Sequence, residues 1–112
     1  MLARANRVVK PSDFRAIVRR GRRISSASTL IYRVEREPAD PARFGFIIAK
    51  TVGNAVERNL VRRRMRAVCR AIVDAGGSGS DVVVRALPGS AQRDWTSLSA
   101  EMHAILDPAL IR

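Results

Sequence analysis

Six arginines, Arg58, Arg62, Arg63, Arg64, Arg66 and Arg70, fall within thirteen residues that contain no acid. A second run from Arg4 to Arg23 holds eight basic residues (Arg4, Arg7, Lys10, Arg15, Arg19, Arg20, Arg22 and Arg23) against one acid, Asp13. The chain carries 21 Lys+Arg against 10 Asp+Glu, a formal net charge of +11 over 112 residues. A charge of this size disfavours compaction by self-repulsion and points to a polyanionic partner. Nearly all the cations are arginine, whose planar fork matches phosphate oxygens and stacks on bases as a lysine ammonium does not. The chemistry on offer is therefore phosphate recognition, and nucleic acid is favoured over a membrane surface.

Bond-making chemistry is poorly served by comparison. Cys69 and His103 are the only cysteine and histidine, too few for a zinc site of about four ligands. Cys69 falls among apolar positions of an expected helix, where a thiol is buried and inert. A stand-alone nuclease needs clustered carboxylates or histidines for metal or acid–base work. The acids here are scattered or placed as helix caps. The expectation is no catalytic residue, no metal site and no small-molecule substrate. No apolar run approaches the ~20 residues of a membrane span, and Met1–Arg7 lacks the apolar stretch of a signal peptide. A cytoplasmic protein is expected.

The elements that must position the arginines follow from pattern. Length predicts a single domain over residues 1–112, and its first residues, 1–10, read as a flexible basic stretch. A 46% apolar content is enough for a core built mostly from Val, Ile, Leu and Ala. Phe14, Ile17 and Val18 recur at helical spacing, so a short helix is expected over 12–20, capped by Ser12 and ended by Gly21. Alternation of Leu30, Tyr32 and Val34 with Ile31, Arg33 and Glu35 reads as a strand over 27–36. Two prolines in Glu37–Pro41 forbid a ladder there. A second strand over 43–50 is expected to hairpin with the first. A helix follows from Asn54 to Asp74, opened by Asn54 and Glu57 at capping-box spacing and ended at Gly76-Gly77. Gly76–Ser80 is a flexible link, and Asp81–Leu87 is a buried strand. A final helix over 95–106 is capped by Asp94, places Trp95, Leu98, Met102, Ile105 and Leu106 inward, and stops at Asp107-Pro108. The order is α, β, β, α, β, α with room for an extra short strand, an α+β arrangement.

Winding residues 54–74 at about 100° per residue sorts the side chains. Arg58, Arg62, Arg66, Asn59, Arg70 and Arg63 share an arc of about 140°, with Val61, Met65, Val68, Cys69 and Ile72 on another. Arg64 lands near the apolar edge, where its stem can lie on the core while its head reaches water. A merely solvated face usually mixes signs, because like charges four apart weaken a helix. Arg58, Arg62, Arg66 and Arg70 stand four apart with one sign, an arrangement that phosphates would make favourable.

The segment Lys50-Thr51-Val52-Gly53-Asn54-Ala55-Val56-Glu57-Arg58-Asn59-Leu60-Val61-Arg62-Arg63-Arg64-Met65-Arg66 resembles the signature of the bacterial ribonuclease P protein subunit family. In that pattern Lys, Gly, Ala-Val, Arg-Asn and the following basic residues stand at fixed spacing, and every fixed position is filled here. Asp13-Phe14, Gly21, Tyr32, Gly45 and the Val82–Pro88 segment also lie where that family places such residues. The resemblance covers nearly the whole chain.

It implies a single-domain α/β sandwich in the order α-β-β-β-α-β-α, a small, mostly antiparallel sheet, and a left-handed crossover around the long helix. It also implies the non-catalytic protein subunit of a ribonucleoprotein that removes the 5′ leader of precursor tRNA. The active site and its magnesium would belong to the RNA subunit, and the protein would be a monomer in a 1:1 complex with that RNA. Contacts to the catalytic RNA are implied for Lys50, Gly53, Asn54, Arg58, Asn59, Arg62, Arg63, Arg66 and Arg70. A separate cleft between the first helix and the sheet would hold the leader, lined by Phe14, Val18 and Tyr32, whose aromatic faces could stack on unpaired bases. The chain departs from the family at Val18, often aromatic elsewhere, and at Arg64, often apolar. Phe14 and Tyr32 could equally serve as core, Trp95 is expected to be core, and Gly53 is expected to permit a tight turn. The competing reading is a ribosomal or RNA-chaperone protein with a similar basic helix, which would not need Lys50 and Gly53 before Arg58-Asn59.

Overall fold

The computed structural model describes residues 2–106. Its elements run α1 (Pro11–Arg20), β1 (Arg22–Ser25), β2 (Thr29–Glu35), β3 (Arg43–Ile47), α2 (Ala55–Asp74), β4 (Ser80–Ala86) and α3 (Trp95–Leu106). Single 3-10 turns sit at Arg4–Asn6, Lys50–Val52 and Ser90–Gln92. The α-β-β-β-α-β-α order and the α+β class are those expected. No described helix is long and apolar enough to cross a membrane. The expected stop at Asp107-Pro108 lies outside the described residues.

One sheet, ordered β1-β2-β4-β3, divides the molecule. Strands β1, β2 and β4 pair antiparallel, whereas β3 runs parallel to β4. The expected β2–β3 hairpin does not form, because β4 inserts between them and pairs Tyr32↔Val83 on one side and Gly45↔Val83 on the other. Val82, Val83 and Val84 are almost wholly buried, as a central strand covered on both faces requires. Even positions of β4 face α2 and α3. Val82, Val84 and Ala86 pack there with Ile31, Phe44, Val61, Met65, Val68, Cys69, Ile72, Leu98 and Met102. Val83 faces the other way, toward α1, with Val8, Ile17, Leu30 and Tyr32.

The hand of the β3–α2–β4 crossover follows from backbone geometry. Leu87 N donates to Ser28 O, extending the β2–β4 ladder. The odd residues of β4 therefore aim their N–H and C=O at β2, and the even residues aim theirs at β3. Viewed from α2 with β4 running upward, an L-residue whose side chain faces the viewer points its backbone groups to the right. That places β3 on the right of β4, so a chain rising through β3 and returning in front through α2 re-enters on the left. The crossover is left-handed, against the usual preference.

Local chemistry sets most boundaries. Asn54 accepts from Glu57 N at 2.9 Å while Glu57 Oε1 accepts from Asn54 N at 3.0 Å, a complete capping box. Asp94 accepts from Ser97 N at the head of α3. Helix α1 begins one residue earlier than expected: Pro11 occupies the first turn, and neither Ser12 nor Lys10 provides a side-chain cap. Proline's fixed φ suits that position. Strand β3 stops at Ile47, and Lys50 enters the turn before α2. The N-terminal stretch, expected to be flexible, is packed. Leu2 and Val8 are buried, Asn6 Nδ2 donates to Ala42 O at 2.8 Å, and Arg7 bridges to Phe44 at the sheet edge. Ser80, assigned to a flexible link, instead opens β4 and is buried. Trp95, expected in the core, is 43% exposed. It shares the inward stripe of Leu98 and Met102 but sits in the first turn of α3, with no further turn above it to close over the ring.

Candidate nucleic-acid interface

Helix α2 has 20 residues, about 30 Å of rigid rod. Its buried residues are Val61, Met65, Val68, Cys69 and Ile72, the stripe expected. Burial pushes the Cys69 thiol well above its ordinary range, so it stays protonated and inert. The basic positions lie around the remaining surface at different depths. Arg63 and Arg70 are exposed, while Arg58, Arg62 and Arg66 are half-buried. The row four residues apart thus runs as a seam along one flank of the helix at Arg58, Arg62 and Arg66 and reaches the exposed ridge at Arg70.

Few of these arginines are neutralised among the described residues. Arg70 Nε lies 3.4 Å from Asp74 on the exposed surface. Arg62 Nη1 donates to Asn59 Oδ1 at 3.1 Å, a neutral partner that orients the guanidinium without cancelling its charge. Arg58, Arg63 and Arg66 make no ion pair among the described residues, and Arg58 Nε is shielded from solvent without an acceptor. Arg64 leaves the seam altogether. Its Nη1 donates to Arg93 O at 2.8 Å, so the head expected in water ties α2 to the segment before α3. Glu57 helps on the same flank, accepting from Gln92 Nε2 at 2.9 Å.

The loop before α2 completes this surface. Lys50 is exposed in its 3-10 turn. Gly53 holds φ 156°, ψ −168°, and a Cβ there would lie 2.6 Å from Glu57 Oε1 and 2.9 Å from Glu57 Cβ. Glycine at this position lets the capping carboxylate close over the chain. Lys50, Gly53, Asn54, Arg58, Asn59, Arg62, Arg63, Arg66 and Arg70 are therefore brought together along one loop-and-helix unit.

Phe14, Val18 and Tyr32 meet on the opposite face of the sheet. A Cβ on Gly45 would come within 2.5 Å of the Phe14 ring, so the ring lies directly on the β3 backbone. Tyr32 is buried, whereas Phe14 and Val18 are half-buried. Helix α1 is held by ions at one end. Arg43 makes a two-pronged contact with Asp81, Nε to Oδ1 at 2.9 Å and Nη2 to Oδ2 at 2.7 Å, and reaches Asp13 of α1 at 3.6 Å. Arg36 joins Asp81 at 3.2 Å. Burial alone would raise Asp81, but its hydrogen bonds and charge contacts with Arg43 and Arg36 hold it below the usual carboxylate range. This anchoring network was not apparent from sequence, because its members lie in α1, just past the end of β2, in β3 and in β4, and meet only through the sheet register.

The fold that carries these two surfaces, one beside α2 and one beside α1, recurs in proteins of known structure. The chain matches the family model described as Ribonuclease P over residues 2–110. It belongs to the ribonuclease P protein family. The ribonuclease P protein component of Clavibacter michiganensis is 44% identical over 110 residues, covering 98% of this chain and 97% of that protein. The component from Pseudarthrobacter chlorophenolicus is 42% identical, over 100% of this chain and 82% of that protein. The fold is shared with the RNase P protein of Staphylococcus aureus, with a TM-score of 0.82 at 24% identity, covering 95% of this chain and 96% of that one. The Thermotoga maritima RNase P protein aligns with a TM-score of 0.79 at 20% identity, over 90% and 94% of the two chains.

Proposed function

We propose that this chain is the protein subunit of ribonuclease P, binding the catalytic RNA through the Lys50 loop and the α2 seam and the precursor tRNA leader through the groove beneath α1. The observation that carries the reading is the one-signed basic face of α2, the seam with Arg63 beside it, where Arg58, Arg63 and Arg66 lack an ion pair among the described residues. Phosphates laid along it would accept from these guanidinium groups and would remove the like-charge repulsion along the row. Each phosphate neutralised would release counterions and make affinity steeply salt-dependent.

In this reading phosphodiester hydrolysis, with its magnesium, belongs to the RNA subunit. The protein contributes position and charge neutralisation, as a monomer bound one to one. Among the described residues no three His, Cys, Asp or Glu side chains gather as a metal cluster. Phe14 on the sheet and the half-buried Val18 offer apolar surface to an unpaired strand, with Tyr32 backing the groove; stacking of this kind tolerates any base. The valine at position 18 presents less surface than an aromatic ring would.

The test is reconstitution. Purified protein is mixed with ribonuclease P RNA and a leader-bearing precursor tRNA at low magnesium. Cleavage should accelerate and yield the mature 5′ end. Cleavage no faster than with RNA alone would refute the assignment.

A further inference from the structure

Strand β4 is buried along its length except at one residue, Arg85. Register places Arg85 opposite Leu30 on β2 and Ile47 on β3, on the sheet face that carries α1. The charge on this face is divided. At one end, Asp81 and Asp13 are consumed by Arg43 and Arg36. Two pleats further along β4, past the fully buried Val83, Arg85 has no ion pair or hydrogen-bonding side chain among the described residues.

Helix α1 explains why that end is open. Asp13 draws one flank of α1 toward Arg43 and Asp81, and Val18 and Arg15 lie on the opposite flank by helical spacing. They border the part of the sheet bearing Leu30, Arg85 and Ile47. Leu30 and Ile47 pack into the same cluster as Phe14, Val18 and Tyr32, so Arg85 continues the floor of the groove that those residues begin. Ile47 also ends β3, and the chain passes from it into the turn bearing Lys50. Arg85 thus stands between the groove and the loop that opens the arginine helix.

We infer that Arg85 binds a backbone phosphate of the unpaired leader strand, fixing the path of that strand from the α1 groove toward the α2 surface. The inference rests on the groove reading above and adds a residue to it. An apolar, base-tolerant floor grips a strand but leaves it free to slide. A single guanidinium at the end of the floor pins one phosphate and so sets register without reading sequence. A lone charge in the run Val82-Val83-Val84-Arg85-Ala86 is the sequence signal for it.

The test uses holoenzyme reconstituted with wild-type protein, Arg85→Thr, Arg85→Lys or Phe14→Ala. Each is titrated with precursor tRNA bearing a full leader, the same tRNA with a one-nucleotide leader, and mature tRNA. Threonine suits an exposed strand position, and thermal melts confirm folding. Arg85→Thr should weaken full-leader binding by roughly fivefold to tenfold and lower its salt slope by about 0.7. Arg85→Lys should restore part of the affinity, and mature and one-nucleotide substrates should bind as to wild type. If Phe14→Ala loses leader discrimination while Arg85→Thr does not, the groove stands and the role of Arg85 is refuted. If neither variant changes leader binding, the groove reading fails and the inference falls with it. A loss shared equally by mature tRNA would also overturn it.

Discussion

Arginines at the Asp81 cluster and arginines on the α2 seam are the same residue type put to opposite use. Around Asp81, Arg43 and Arg36 spend their charge on carboxylates inside the chain, and a two-pronged contact locks β3 and β4 together while Asp13 brings α1 with it. On α2, Arg58, Arg63 and Arg66 have no counter-charge among the described residues, although the chain has ten acids to supply one. An internally paired arginine is part of the scaffold. Arg58, Arg63 and Arg66, without an ion pair among the described residues, form a surface held ready for an external anion. Mutations should therefore separate the two regions: changes at Asp81 should cost stability, and changes on the seam should cost RNA affinity with the fold intact.

The largest expected effect is at Asp81. Asp81→Asn removes the shared counter-charge of two arginines and should lower unfolding free energy by about 3 kcal/mol in denaturant titration. Its pH dependence gives a second check. The folded pKa of Asp81 is depressed, so its stabilisation is complete above the unfolded value of about 3.9 and is lost as pH falls through the lower folded value. The gap between wild type and Asp81→Asn should be constant near neutrality and should narrow below about pH 4. A pH-independent gap would mean that Asp81 does not act as a carboxylate there.

Gly45→Ala comes next. The added methyl must displace the Phe14 ring, at about 1–3 kcal/mol for overpacking, and should reduce discrimination between precursor and mature tRNA. Normal discrimination would show that Phe14 is only core. Asn54→Ala is the smallest, about 1 kcal/mol from loss of the cap, read as a modest drop in thermal midpoint. It sharpens the comparison by loosening the end of α2 that presents Arg58 without touching a guanidinium.

Sequence pattern resolved the features that are decided within a few residues. Helix α2 and its apolar stripe followed from periodicity and the Asn54–Glu57 cap, and α3 from Asp94. What depends on distant partners was not readable. Adjacent strands favour a β2–β3 hairpin, but β4, more than 30 residues after β3, takes the central place through burial on both faces. Strand β1 reads Arg22-Arg23-Ile24-Ser25 and carries one apolar residue, so pattern leaves only room for an extra short strand, and backbone pairing with β2 places it. Trp95 obeyed the inward period of α3, and periodicity is blind to where a layer ends. The arginine seam was evident as a group, whereas the diversion of Arg64 to a backbone carbonyl and the half-burial of Arg58 required the neighbouring segments.

The most direct measurement is the salt dependence of binding to the ribonuclease P RNA subunit, for wild type and for the double variant Arg62→Gln plus Arg66→Gln, which keeps the aliphatic stems. The log–log slope should fall by about 2, one unit for each phosphate no longer neutralised, with thermal stability changed by no more than about 0.5 kcal/mol. An unchanged slope and affinity in a folded double variant would contradict the account, because the seam of α2 would then not be where the RNA lies.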